Sequence, residues 1–164
     1  MPPHPIAVLV LAIVLALSAG ASAADDLSDA RAAFDREDYA QAYALYAPLA
    51  AQKNAEAQYR VGLMLKFGWG VDKNLSEAAG AFRQAAEKNH AESQAELGRL
   101  YKDGSGVPRD LTEAYAWLTL AATNGYMDAM SYRTRLQHEM TAEQVRAGER
   151  LALQRRGKTP EPGR

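Results

Sequence analysis

Four basic residues, Arg60, Lys66, Arg99 and Lys102, fall in two successive stretches whose spacing predicts helices, interleaved with Glu56, Glu92 and Glu96. Guanidinium and ammonium groups placed like this can engage a carboxylate or an acidic segment. The acidic residues stand three or four positions from the basic ones, so a solvated, charge-balanced helix face accounts for the same pattern. Hydrolytic and metal chemistry find less to work with. Cys is absent, which removes a thiol nucleophile, any disulfide and any Cys-based metal site. The chain has no Ser-x-x-Lys and no Gly-x-Ser-x-Gly. Beyond position 23 the only histidines are His90 and His138, neither in a metal-spaced cluster. Glu87-x-x-His90 is half of a di-iron pattern that needs a second copy and two further carboxylates, and Thr123 and Tyr126 occupy the equivalent positions of the next unit.

The elements that must position these residues come from an internal repeat. "KFGWGVDKNLSEAAGAF" begins at Lys66 and "KDGSGVPRDLTEAYAWL" at Lys102. Setting Ala55 above Ala91 (91 − 55 = 36) also pairs Gly62 with Gly98, Gly68 with Gly104, Gly70 with Gly106 and Glu77 with Glu113. Stepping back from Asn74 by the same interval lands on Asp38, which marks a degenerate first copy. Each copy predicts a pair of helices, A then B. The A helices carry apolar residues at helical spacing around Gly62 and Gly98. A mid-helix glycine costs about 1 kcal/mol against alanine, so its recurrence predicts a close approach of the B helix there. Each B helix opens on a cap with Glu or Gln three residues on: Asp38 with Gln41, Asn74 with Glu77, Asp110 with Glu113. Pro48 should bend or shorten the first B helix. Gly68 and Gly104 are placed to end the A helices in the left-handed conformation, and Gly70 and Gly106 to allow a second reversal. A phosphate-cradling loop would need a preceding strand and a third glycine, where Lys73 and Arg109 stand.

Composition sets the outer bounds. The chain has 164 residues, 48% hydrophobic and 24% charged, enough for one modest all-α domain. A net charge of −1 supplies no general positive field, which argues against nucleic acid as a ligand. Ile6 to Leu17 is an apolar run too short to span a bilayer comfortably, followed by Ala-Ser-Ala at 21–23. Residues 1–23 therefore predict a signal peptide cleaved after Ala23, although "MPPHP" lacks the usual basic residue, which leaves an uncleaved anchor as the alternative. The mature chain is expected to be periplasmic or secreted, without stable membrane insertion. Gln154 to Arg164 contains Arg155, Arg156, Lys158 and Arg164 against Glu161 alone, and is expected to form a disordered basic tail.

The pattern Ala-x-x-x-(Leu/Val)-Gly-x-x-(Tyr/Leu)-x-x-Gly-x-Gly-Val-x-x-(Asp/Asn)-x-x-x-Ala, running through both full copies, resembles that of Sel1-like repeat proteins, relatives of the tetratricopeptide repeats. The resemblance covers about residues 27 to 153. Asn89-His90 departs from it where the family favours Gly, and Gly80-Ala81 stands in place of a larger residue in the second B helix. It implies a right-handed α-solenoid of antiparallel helix pairs. The units would be a degenerate half-unit at 24–54, repeats at 55–90 and 91–126, and capping helices at 127–153. It also implies a protein or peptide partner held on the concave, A-helix face, with no cofactor and no metal, by a monomer. The groove positions would be Glu56, Tyr59, Arg60, Leu63 and Lys66, then Glu92, Glu96, Arg99 and Lys102, then Asp128, Ser131 and Arg135. Phe67 and Trp69, at the tip of a turn, are either partner-binding anchors or a cover for the neighbouring repeat, whereas Trp117 lies on an apolar stripe and belongs in the core. The alternative function is a secreted hydrolase of the β-lactam-binding type seen in cysteine-rich relatives, without a catalytic residue to assign to it.

Overall fold

A computed structural model describes residues 23–157 as eight helices with no strand among them. They are α1 (Ala23–Asp35), α2 (Tyr39–Ala51), α3 (Ala55–Phe67), α4 (Leu75–Ala86), α5 (Ala91–Asp103), α6 (Leu111–Thr123), α7 (Asp128–Gln137) and α8 (Ala142–Arg156). The expected signal peptide falls on 1–23, almost wholly outside the described residues, as do positions 158–164 of the basic tail.

Helices pack consecutively, α1 on α2, α3 on α4 and α5 on α6, with α2 on α3 and α4 on α5 joining the pairs. This is an α-solenoid. Its core follows the repeat interval. Ala42, Ala78 and Ala114 are 0% exposed at successive B helices, and Tyr46, Phe82 and Leu118 are buried one turn later. The A helices make room for the larger of these side chains. A Cβ on Gly62 would stand 2.6 Å from the Phe82 ring, and one on Gly98 would stand 2.9 Å from Leu118 Cγ and 3.1 Å from the Ala114 carbonyl oxygen. The crossing expected at these glycines is therefore made, through a ring at the first and through side chain and backbone at the second.

The caps form as their residue types require. Asn74 accepts from the Glu77 amide at 3.1 Å, Asp110 from the Glu113 amide at 3.0 Å, and Asp38 from the Gln41 amide at 3.3 Å. Gly68 and Gly104 end α3 and α5 at φ 76° and 67°. Gly70 and Gly106, at φ 69° and 73°, do more than reverse the chain. A Cβ on Gly70 would sit 2.3 Å from the Tyr39 carbonyl group, and one on Gly106 2.2 Å from the Leu75 carbonyl oxygen. Each loop thus lies against the first peptide of the preceding unit's B helix. B helices end on a left-handed residue at the repeat interval: Lys53 (φ 66°), Asn89 (φ 65°) and Gly125 (φ 98°). Asn89 does what a glycine would do there, because asparagine tolerates that region.

Three expectations change. The N-terminal segment is a complete helix pair rather than a half-unit. Its A helix begins 32 residues before α3 (55 − 23 = 32), because Arg36–Asp38 replaces the seven-residue glycine loop and takes it out of register. Pro48 does not shorten α2, which continues to Ala51; proline there removes one backbone donor but leaves the helix three more residues. Helix α8 runs to Arg156, three residues into the expected tail, because Arg155 is held by Glu113 at 2.8 Å and lies 4.3 Å over the Trp117 ring. Trp117 itself is 4% exposed and in the core, as expected.

Candidate functional site

The A helices carry long polar side chains that meet between units. Glu56 at the start of α3 takes a two-pronged hydrogen bond from Arg31 of α1, which holds its carboxyl below the usual range against the opposing effect of burial. Lys66 of α3 reaches Glu96 of α5 at 2.6 Å, and Arg99 pairs with the same carboxylate one turn on. Burial works against the charged Arg99 guanidinium, but Glu96 and then Tyr132 outweigh it and keep its pKa raised. Lys102 pairs with Glu139 at 3.1 Å. Lys66, Arg99 and Lys102 are therefore already bound to carboxylates, though only the Arg99–Glu96 pair has the within-helix spacing of the charge-balanced reading.

Arg60 is different. Among the described residues no carboxylate lies within ion-pair distance of it, and its buried Nε has no hydrogen-bond acceptor. Its guanidinium lies 4.9 Å over the Phe34 ring of α1 and 6.0 Å from the Tyr59 ring. Tyr59 is half-buried, which raises its pKa, and it lies 4.8 Å from the His90 ring. His90 caps α5 by accepting from the Ser93 amide at 3.3 Å, and burial lowers its pKa despite nearby Glu92.

Aromatic stacking joins the predicted residues into one strip. From Arg60 the chain of contacts runs through Phe34 to Trp69 (5.9 Å), then to Phe67 (4.7 Å), beneath Lys66 (4.9 Å), and through Glu96 to Arg99. Arg99 stacks 4.8 Å over Tyr132 of α7, and Arg135 stacks on the same ring at 4.9 Å. Leu63 packs half-buried against the core beside this strip. Lys102 stands apart at Glu139, and Glu92, Asp128 and Ser131 are exposed without joining the stack. Trp69 is stacked on Tyr39 at 5.3 Å and 14°, so it covers the α1–α2 unit, while Phe67 remains 50% exposed. Phe34 and Tyr132, the rings on which the arginines lie, were not among the predicted site residues: Phe34 sits in the unit that the shorter turn takes out of register, and Tyr132, one interval after Glu96, puts a ring where the preceding units have a charge. Met127 and Met130, 70% and 49% exposed, add apolar surface at the α7 end, where only their residue type could have drawn notice.

The Sel1 repeat family model matches residues 55–90 and 91–126. No curated protein matches the chain. Among solved structures, a protective antigen present in uropathogenic Escherichia coli strains and displaying an SLR fold superposes with a TM-score of 0.80 at 30% identity, over 84% of this chain and 30% of that one. A Sel1 repeat protein from Oxalobacter formigenes superposes with a TM-score of 0.56 at 35% identity, over 57% of this chain and 39% of that one. This chain thus spans less than half the length of either. Two matched repeats, at the interval set by Gly70 and Gly106 and in a solenoid of consecutively packed pairs, make this a Sel1-repeat protein.

Proposed function

We propose that the chain is an exported adaptor that holds a protein or peptide in the groove along its A helices, as a monomer and without a cofactor. Sel1 repeats commonly mediate protein–protein contacts, and among the described residues no helix is long and apolar enough to cross a membrane. The observation that carries the reading is Arg60, a half-buried guanidinium seated on Phe34 that, among the described residues, has no carboxylate within ion-pair distance and an Nε without an acceptor. A buried donor without an acceptor is costly, and a partner's carboxylate would satisfy it with a charge-assisted, bidentate bond. The partner is therefore an acidic segment. Leu63 and Phe67, one and two turns further along the same helix, supply apolar contact, and Lys66, Arg99 and Arg135 define the rest of the strip.

A photoactivatable residue in place of Leu63 on α3, compared with one in place of exposed Ser76 on α4, tests this in an envelope extract. The Leu63 position should give a discrete adduct, and Arg60→Glu should reduce it by at least about tenfold, the loss of one strong charge-assisted bond, while circular dichroism stays unchanged. An adduct formed at Ser76 and not at Leu63, or one indifferent to Arg60→Glu, overturns the reading.

A further inference from the structure

The cations of the A-helix face are not equivalent. Lys66 and Arg99 share Glu96, and Lys102 and Arg109 share Glu139. Two guanidiniums are left over, one at each end of the strip. Both oxygens of Glu56, four residues before Arg60 on the same helix, already accept from Arg31. Among the described residues Arg60 has no carboxylate within ion-pair distance, and although its Nε is enclosed, no hydrogen bond holds its terminal nitrogens.

Arg135 stands two A helices away, on α7. Its Nε donates to the Ser131 carbonyl at 3.4 Å, one turn back, and among the described residues it too has no carboxylate within ion-pair distance. A guanidinium has five donors in a planar fork, so one long bond to a carbonyl leaves most of them unspent. The Tyr132 ring, which also carries Arg99, holds the Arg135 fork in place at the surface.

Resting on the reading that the groove holds an acidic segment, we propose that this segment is extended and carries two carboxylates about six residues apart, one for Arg60 and one for Arg135. With α5 between them, α3 and α7 are two interaxial steps apart, about 20 Å at about 10 Å a step. An extended chain advances about 3.3 Å per residue, so about six residues cover the distance, and the period of two puts both carboxylates on the same face. A spacing of about three residues reaches only half as far and turns the second carboxylate away. A helical segment, rising about 1.5 Å per residue, would need about thirteen residues for the same reach.

The test is a titration of the ¹⁵N-labelled chain with two short peptides of serine and threonine, blocked at both ends and alike in composition, whose two glutamates stand about six positions apart in one and about three in the other. For so short a segment the dissociation constant should be on the order of 0.5 mM. The wider spacing should bind roughly fivefold more tightly, the gain from one organised ion pair at the surface. Arg135→Gln, at an exposed position, should bring the wider-spaced peptide down to the level of the other, and Arg60→Gln should weaken both. Equal binding of the two peptides, or an Arg135→Gln chain that still prefers the wider one, overturns the spacing, leaves the acidic segment standing and points to a helical one instead. If neither peptide moves a resonance of α3, α5 or α7 at about 5 mM, ten times the expected constant, the groove reading itself falls and the spacing with it.

Discussion

The two interior units and the two terminal ones solve the same packing problem differently. In the interior units a seven-residue loop follows the A helix, and its second glycine presses on the opening peptide of the preceding B helix: Gly70 on Tyr39, Gly106 on Leu75. Among the described residues no unit precedes α1–α2, and three residues suffice to turn its chain. At the other end α8 takes over. It packs on α6, and its Gly148 would place a Cβ 2.8 Å from the Tyr115 ring and 3.2 Å from the Thr112 carbonyl oxygen. The first turn of α6, where a further glycine loop would dock, is covered by a helix instead. The lengthened loop is thus a connector between units, and the ends of the solenoid dispense with it.

The largest effect expected from this comparison belongs to Gly106→Ala. The new Cβ would meet backbone at 2.2 Å in a left-handed residue, so neither a rotamer change nor a side-chain shift relieves it. A loss of about 3 to 5 kcal/mol is expected from the clash and the left-handed strain together. Gly104→Ala, two residues away at a similar φ but 3.1 Å from the Arg109 side chain, should cost only about 1 to 2 kcal/mol. Urea denaturation of both separates docking from conformational strain. Equal losses would mean that the second glycine serves only to turn the chain.

A smaller effect of opposite sign tests whether the two interior B helices are equivalent. Gly80 in α4 stands where Ala44 and Ala116 stand one interval away, and a Cβ there would meet nothing within 4 Å. Gly80→Ala should therefore stabilise the chain by about 1 kcal/mol, the ordinary helix-propensity difference. A loss in the same denaturation experiment would reveal a contact at that position that the open space around it does not suggest.

What the sequence made legible follows the same division. Caps at Asn74 and Asp110, left-handed ends at Gly68 and Gly104, and the burial of Trp117 are local or periodic features, and spacing alone locates them. Helix α1 was hidden, although the cap of α2 at Asp38 keeps the interval, because a turn four residues shorter takes the first A helix out of register. The path of α8 was hidden because Arg155 finds Glu113 42 residues upstream, a distance no periodicity encodes. The site divides likewise. Arg60, Lys66, Glu96 and Arg99 could be named from their helix, but which cations are already neutralised depends on how far apart neighbouring A helices stand. Only the fold shows that Glu96 serves two of them while Arg60 has none.

The smallest effect concerns how the A helices begin. Asn54 caps α3 by accepting from the Ala57 amide at 2.9 Å, His90 caps α5 through Nδ1, and α7 starts without a side-chain cap. Only the His90 cap titrates. Its Nδ1 must be unprotonated to accept from Ser93, and burial, aided by Arg60, lowers its pKa against the pull of Glu92 and Glu56. Above the unfolded-state value of about 6.5 the ring is neutral in both states, and the cap contributes fully. As pH falls below that value the unfolded chain takes up a proton that the folded chain resists, so stability declines until the folded pKa is passed. The decline begins above the range in which Glu56, whose pKa is also lowered, starts to cost stability. His90→Asn keeps an acceptor at the cap and removes the titration, so it should match the parent at pH 7 to within about 0.5 kcal/mol. Thermal melts of the two chains between pH 7 and pH 5 should then diverge, the parent falling further. If they run parallel, the interior cap is as insensitive to pH as the one at Asn54, and α5 owes its start to packing rather than to His90.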